Sequence, residues 1–558
     1  MNFADDQYNA ASSFAYTMIV VDDEPVDDPV EPEPALEVKT PGRRDVAAAK
    51  KVDQKPEAKR SHPLDAKGLI KSALDLGLVC SVVNPTGDEG SVAKSVAKAS
   101  LRADIVSLDW HMNHGDDGEL ASEIIQEILR GDEAIGGRLR LIAIYTGNKD
   151  QGTILEKIAE RLNAAEEISG KVTKTGDVLS NSSGLRIIWR EKSMGNEKLA
   201  NAVSETQLPK ELLKAFSELS NGLLSNVALA TISSMRDTTH HVLSKFSSEL
   251  DGPFFHHRAR LKNSADSMDY AISVVMSALK SEVDKSKVTS KYTTVDAIKR
   301  RLAQMPQHPE NFTLRYINKK NEEKEFKLNI EDVMSIMERG FSDWPEADKK
   351  AAEERQSDRQ ASPRPSKDTF ANSFSTLFCD TIEAANLSML QFSFLTNSQS
   401  SELSMVHRKA PPKLGLGSVI FSDVEDGYFL CLQATCDTVR GAGLFFFVPL
   451  EVVDSDIPDI VVPHGRNGAL INFVGLSVPP KCYTKSLSLD FGVINDAIGH
   501  IPIYYDEQRE IYHVPDANNT DYRWLANLKY KRALRIAQNM SQEISRIGFD
   551  EFEPFRKG

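Results

Sequence analysis

The sequence predicts a multidomain chain that begins with an α/β domain built on a parallel sheet. Four short apolar runs in its first third are separated by helix-like sequence, as in parallel βα sheets. They span residues 16–21, 103–108, 139–145 and 185–189. Helical periodicity then dominates from 206 to 283, and strand-like runs dominate after 416. We therefore expect a central, mainly α domain and a C-terminal α+β domain.

Polar side chains follow each of the four apolar runs. Asp22 and Asp23 come after the first run, Asp109 after the second, Thr146 after the third and Lys192 after the fourth. Ligands of open α/β sheets bind at the carboxyl ends of the strands, so we expect these side chains to meet. A carboxylate can form an acyl phosphate, and paired carboxylates suit Mg²⁺. The ammonium and hydroxyl groups would contact phosphoryl oxygens.

Residues 14–203 resemble the receiver domain of bacterial response regulators. Four segments match the signature regions of that family in order: 21–25, 108–118, 145–147 and 191–193. The resemblance implies a flavodoxin-like fold with a five-stranded parallel sheet. It also implies a histidine kinase or related ATPase as phosphodonor.

The resemblance assigns a role to each residue of the pocket. Asp109 would be the phosphoacceptor, and Thr146 and Lys192 would sense the phosphoryl group. Mg²⁺ would be bound by Asp22, Asp23, Asp109 and the backbone carbonyl of His111. Trp189, three residues before the lysine, stands where the family often has a switching aromatic residue.

The chain departs from the receiver pattern in two insertions and two loop positions. An acidic, Pro-rich and then Ala/Lys/Arg-rich segment has too few large apolar residues to form a core, so we expect a disordered insertion at 25–63. A second insertion lies near 166–183. Asn113 and Ser193 replace prolines that are common in the family. These changes affect the expected switching more than the expected metal site.

Composition limits the remaining possibilities. The 558 residues carry a formal charge of −14, which argues against indiscriminate nucleic-acid binding but leaves a local basic site open. No run approaches the roughly 20 apolar residues of a membrane span, and no signal peptide is visible. Five scattered cysteines fit reduced thiols. We therefore expect a cytoplasmic protein without a membrane partner.

Changes in composition and hydrophobic periodicity along the chain suggest the domain boundaries. We predict four segments: a receiver domain over 1–203, a mainly helical domain over 204–345, a linker over 346–368, and an α+β domain with a small β barrel or sandwich over 369–558. The helical domain would suit a dimerisation bundle or a partner-binding platform, which leaves a homodimer open.

Three outputs are compatible with the rest of the chain. The first is a protein-binding output of a phosphorelay. The second is an antiphage or conflict-system effector, because Arg236 and His241 fit the R-x₄-H pattern of HEPN ribonucleases and 431–440 resembles a segment of receiver-containing conflict-system proteins. The third is a DNA-binding regulator using the basic helix near 522–547. The sequence leaves open which output is present, whether it is an enzyme, and which kinase and signal are cognate.

Overall fold

The computed structural model describes most of the chain. The described residues are 2–26, 63–112, 117–135, 137–147, 150–165, 172–181, 184–193, 202–261, 265–305, 312–356, 364–403, 412–434, 444–453, 458–467, 470–482, 486–491, 501 and 503–544. The insertion predicted at 25–63 lies outside them except at its ends, and Asn113 also lies outside.

The N-terminal region alternates strands and helices. Its elements are α1 (Phe3–Phe14), β1 (Thr17–Val21), β2 (Pro25–Val26), β3 (Leu64–Asp65), α2 (Ala66–Asp75), β4 (Val79–Val83), α3 (Glu89–Ser100), β5 (Ile105–Leu108), α4 (Glu119–Glu133), β6 (Arg140–Thr146), α5 (Gln151–Ala164), β7 (Thr173–Thr175), β8 (Val178–Ser180), β9 (Leu185–Lys192) and β10 (Ala202–Val203).

Five of these strands form the predicted parallel sheet, in the order β4–β1–β5–β6–β9. The inner strands β1, β5 and β6 are buried on both faces and are therefore largely apolar rather than alternating, whereas the edge strand β4 is partly exposed. On β6, for example, Ile142 and Ile144 belong to the core against α3, α4 and α5, whereas Leu141 and Ala143 belong to the core against α1 and α6 (Leu208–Ser217). The predicted α/β receiver fold is confirmed.

The second predicted insertion contributes additional strands to this sheet. The hairpin β7–β8 pairs antiparallel with residues 186–188 of β9, around a turn in which Gly176 has a φ of +59°. Farther along the same strand, β10 pairs parallel with Glu191 and Lys192. The fifth parallel strand is therefore not a free sheet edge.

The described residues of the central region are mainly helical and include a small hairpin. Its elements are α6 (Leu208–Ser217), α7 (Leu223–Asp237), α8 (Thr239–Leu243), α9 (Asp251–Arg260), α10 (Ala265–Ser286), α11 (Val288–Tyr292), α12 (Val295–Ala303), β11 (Phe312–Ile317), β12 (Glu323–Leu328), α13 (Ile330–Arg339) and α14 (Glu346–Glu354). A 3-10 turn covers Ser248–Leu250.

The chain divides into two compact units. The first is Met1–Asp237 together with Ser286–Ala297, and the second is Thr238–Lys285 together with Ile298–Gly558. The boundaries expected from sequence texture stay predictions. Within the expected linker, α14 is helical and Ala352 is fully buried in a core that also contains Phe326 and Phe370.

In its described residues, the C-terminal region is an antiparallel sheet with three helices. Its elements are α15 (Lys367–Ser373), α16 (Ile382–Asn397), β13 (Ser398–Ser401), β14 (Ser418–Ser422), β15 (Gly427–Cys431), β16 (Leu444–Val452), β17 (Ile460–Asn467), β18 (Leu470–Ser477), β19 (Leu487–Asp490), β20 (Tyr504–Asp506), β21 (Ile511–Pro515), β22 (Asp521–Leu528) and α17 (Tyr530–Ile544). A 3-10 turn covers Phe374–Phe378.

This antiparallel sheet curls into a half-barrel, in the order β17–β18–β16–β15–β14–β22–β21–β20. The register between β14 and β22 shifts between Val419 and Ile420, an irregularity of the kind that is common where sheets curve. One side of the sheet packs on α17 through Ala533 and Ile536. Among the helices of the described residues, none is long and apolar enough to cross a membrane.

Candidate functional site

Three aspartates meet at the carboxyl edge of the parallel sheet. Asp22 and Asp23 directly follow β1, and Asp109 directly follows β5, its neighbour in the sheet. Backbone hydrogen bonds fix the two strand ends, because the Asp109 N–H donates to Val21 O at 2.9 Å and the Asp22 N–H donates to Val83 O at 3.1 Å. One carboxylate oxygen from each aspartate lies within 4.8 Å of the others. This donor set suits a hard divalent cation such as Mg²⁺.

Lys192 joins two of these carboxylates. It ends β9, and its Nζ donates to Asp22 Oδ2 and to Asp109 Oδ2, each at 2.6 Å. All three residues are buried: the lysine is 3% exposed, Asp22 1% and Asp109 7%. A buried ammonium with two carboxylate partners is well compensated electrostatically. The sheet therefore brings together side chains that are 170 residues apart in sequence.

Thr146 and His111 lie around the same edge. Thr146 ends β6, is 1% exposed, and pairs in the sheet with Glu191, the residue before the lysine. The His111 N–H donates to Asp109 Oδ1 at 3.3 Å, which places the His111 backbone beside the Asp109 carboxylate. The structure thus brings every predicted pocket residue to one edge of the sheet.

Burial and charge set the protonation of the pocket. Burial raises the pKa of the Asp22 carboxyl, and repulsion from Asp109 adds to this effect while Lys192 opposes it. Burial alone would lower the pKa of Lys192, but Asp109 and Asp22 outweigh it and raise the value above that of an ordinary lysine. The lysine therefore stays charged over the physiological range.

Trp110 and Gly118 shape the wall next to the phosphoacceptor candidate. Trp110 follows Asp109 directly and is 1% exposed. Gly118 precedes α4 with a φ of +78°, and a Cβ there would lie 2.1 Å from the Trp110 ring. Only glycine therefore fits between the ring and the helix. Ser122 closes the turn by donating to Gly118 O at 2.7 Å.

A latch beside the pocket was not anticipated from the sequence. The Tyr145 hydroxyl, next to Thr146, donates to Val203 O at 2.8 Å, and the Ser193 N–H donates to the same oxygen at 3.1 Å. Proline could not make the second bond, which gives a structural reason for serine at 193. Burial raises the pKa of the Glu205 carboxyl, and Lys192 lies close enough to oppose that shift. The latch thus connects the pocket to the chain leading into α6.

Trp189 is buried in the core on the α4 and α5 side of the sheet. It is 4% exposed, and its indole N–H has no hydrogen-bond partner among the described residues. In this structure it is a core residue rather than an exposed aromatic.

Comparison with protein families matches residues 14–197 to the response receiver domain. These residues are a response receiver domain. The match covers the five parallel strands of the sheet and every predicted pocket residue, and it leaves the remainder of the chain unassigned. No curated protein and no solved structure matches the chain.

The two residues of the ribonuclease alternative occupy different compact units. Arg236 lies in the first, where its Nη1 donates to Phe14 O at 2.7 Å and its guanidinium stacks 4.5 Å from the Phe14 ring centroid. His241 lies in the second, exposed and with its ring 3.8 Å from that of His240. The contacts of Arg236 are those of a packing residue.

Proposed function

We propose that this protein is a phosphorelay component whose receiver accepts a phosphoryl group on Asp109. The observation that carries the proposal is the Lys192 ammonium, which lies 2.6 Å from Asp109 and from Asp22, with Asp23 completing an acidic group suited to Mg²⁺. Receiver domains in general take their phosphoryl group from a kinase, so we propose a histidine kinase or related ATPase as the donor.

Each residue of the pocket would have a distinct role in phosphoryl transfer. An Asp109 carboxylate oxygen attacks phosphorus and forms an acyl phosphate, while the bond from phosphorus to the donor nitrogen breaks and the released imidazole takes up a proton. Lys192 and the Thr146 hydroxyl would bind the phosphoryl oxygens. Asp22, Asp23, Asp109 and the His111 carbonyl would hold Mg²⁺, which supplies positive charge for those oxygens when bound.

We propose that the remainder of the chain is a protein-binding output. The latch formed by Tyr145, Ser193 and Val203 supports this proposal because it joins the end of β6 and the end of β9 to the segment before α6. A movement of Thr146 or Lys192 on phosphorylation would therefore be transmitted to α6 through one hydrogen-bonded segment. Arg532, on the basic terminal helix, instead donates to Asp459 O at 3.1 Å, which does not favour a DNA-binding output.

Phosphorylation is tested by incubating the full chain with Mg²⁺ and acetyl phosphate, followed by intact-mass measurement. We expect a gain of one phosphoryl group that disappears in Asp109→Asn and in the absence of Mg²⁺. Asp117→Asn is a matched control, because Asp117 is an exposed neighbouring aspartate paired with Lys157 rather than Lys192. Modification that survives Asp109→Asn, or no modification with any phosphodonor, would refute the proposed acceptor.

A further inference from the structure

Much of the exposed apolar surface lies on the helical segment Thr238–Lys285 of the second unit, which we call the helical arm. Of the 24 exposed large apolar side chains in the described part of the chain, nine lie between Leu243 and Met276. Six of these are on α10, where every residue from Ile272 to Ser277 is exposed. A helix that is apolar on several sides is normally covered by other protein.

The two ends of α10 are held firmly within the arm. Near its C-terminal end, Glu282 is 8% exposed and accepts hydrogen bonds from Lys245 and, at 3.0 Å, from Lys285. Near its N-terminal end, Ser267 is 4% exposed, and the ring of Tyr270 lies 4.4 Å from that of His257. The exposed middle therefore belongs to an anchored helix rather than to a frayed one.

The exposed residues of α10 have the spacing of a self-complementary surface. Met268, Ile272 and Met276 recur every four residues and are 61%, 56% and 53% exposed. This spacing is symmetric about Ile272. A two-fold axis at Ile272 would place Met268 against the partner's Met276 in an antiparallel helix pair, which is the isologous contact that a homodimer requires.

The exposed area is also the amount that a stable dimer needs. Met268, Ile272, Val275 and Met276 share one face of α10 and are about half exposed, which leaves on the order of 450 Å² of apolar surface on each copy. Since apolar atoms make up roughly 60% of an interface, a dimer covering this surface would bury about 1,500 Å² in total. Residues 271–279 carry no charge, so nothing there would recruit a partner by opposite charge.

We propose that α10 is a homodimerisation helix that pairs antiparallel with α10 of a second copy of this chain. The inference is independent of phosphoryl transfer, because it concerns the unmodified protein and uses none of the pocket residues. Phosphorylation and dimerisation can therefore fail separately.

Sedimentation velocity of the unphosphorylated full chain tests the proposal. We expect a concentration-dependent dimer, and at least a hundredfold weaker association in Ile272→Glu, because the two introduced carboxylates would face each other across the axis. Val424→Glu is the matched control: Val424 is an 80% exposed apolar residue in the turn between β14 and β15, and its substitution should leave the dimer intact. Asp109→Asn should also dimerise like wild type.

Cysteine cross-linking separates a second copy from any other occupant. A disulfide needs Cβ atoms roughly 4 Å apart, a condition that only the residue on the axis meets with itself. We therefore expect Ile272→Cys to give a covalent dimer on mild oxidation, and Ser273→Cys and wild type not to do so. A chain that stays monomeric up to its solubility limit would overturn the proposal, as would a dimer that Ile272→Glu leaves unchanged; either result would assign the helix to a different protein or a lipid surface.

Discussion

Lys192 and Asp109 form a buried ion pair in which Nζ lies 2.6 Å from Oδ2, and their side chains are only 3% and 9% exposed. Asp22 shares the same ammonium. Removing the lysine takes away the cation that these two buried carboxylates share. We therefore expect the pair to contribute to the stability of the fold, in addition to its proposed role in phosphoryl transfer.

We predict that Lys192→Met lowers the free energy of unfolding by about 3–5 kcal/mol in EDTA, because it leaves buried charge uncompensated. Mg²⁺ should restore more stability to this variant than to wild type, since it replaces the missing positive charge. Urea denaturation with EDTA or Mg²⁺ measures both effects. The control is Lys157→Met, which removes an exposed pair with Asp117 and should cost about 1 kcal/mol or less. Equal costs for the two variants would contradict the prediction.

Much of the receiver could be predicted because its signals are local. Each pocket residue directly follows an apolar run or closely trails one, and parallel strands align their carboxyl ends. Residue type and position were therefore enough to predict that Asp22, Asp109 and Lys192 lie close together. The hairpin β7–β8 also had a local signal, the Gly176-Asp177 turn between two short strands, which could have identified it within the insertion.

Other features depend on contacts between distant segments, which local sequence patterns do not reveal. β10 has two residues, too few to show alternation, and it is held by Tyr145, which lies 58 positions away. In α14, charged residues outnumber apolar ones, so the segment resembled a linker, yet Ala352 alone reaches the core. The exposed stripe on α10 has ordinary helical spacing, and sequence could not tell whether it would face a core or solvent.

Tyr145→Phe tests the latch through pH. Burial raises the pKa of the phenol above its ordinary value of 10.0, and Glu205 contributes to the rise. The neutral hydroxyl therefore adds stability that is fully present below pH 10 and is lost as the pH rises through the folded pKa. We predict that the variant is about 0.5–1.5 kcal/mol less stable at pH 7. The difference from wild type should shrink above pH 10 in denaturation series, and a difference that is constant with pH would refute this account.

Ser193→Pro tests the second bond of the latch. Proline has no N–H to donate to Val203 O, whereas Ser193→Ala keeps that donor and serves as the control. We expect the proline variant to expose the Val203 amide to faster hydrogen exchange and to lose about 0.5–1.5 kcal/mol relative to the alanine variant. Equal exchange in both variants would show that the bond does not hold β10.

Gly118→Ala tests the wall beside the pocket. The added Cβ would meet the Trp110 ring at 2.1 Å, and the residue would keep a φ of +78° that side chains disfavour. Overpacking and backbone strain together predict a loss of about 2–4 kcal/mol in the free energy of unfolding. Gly152 in α5 has open space around its Cβ position, so Gly152→Ala should instead stabilise the protein by about 0.5–1 kcal/mol. Because the added Cβ would displace the Trp110 ring, the fluorescence of Trp110 should also shift in Gly118→Ala. An unchanged spectrum with unchanged stability would show that the glycine is not required there.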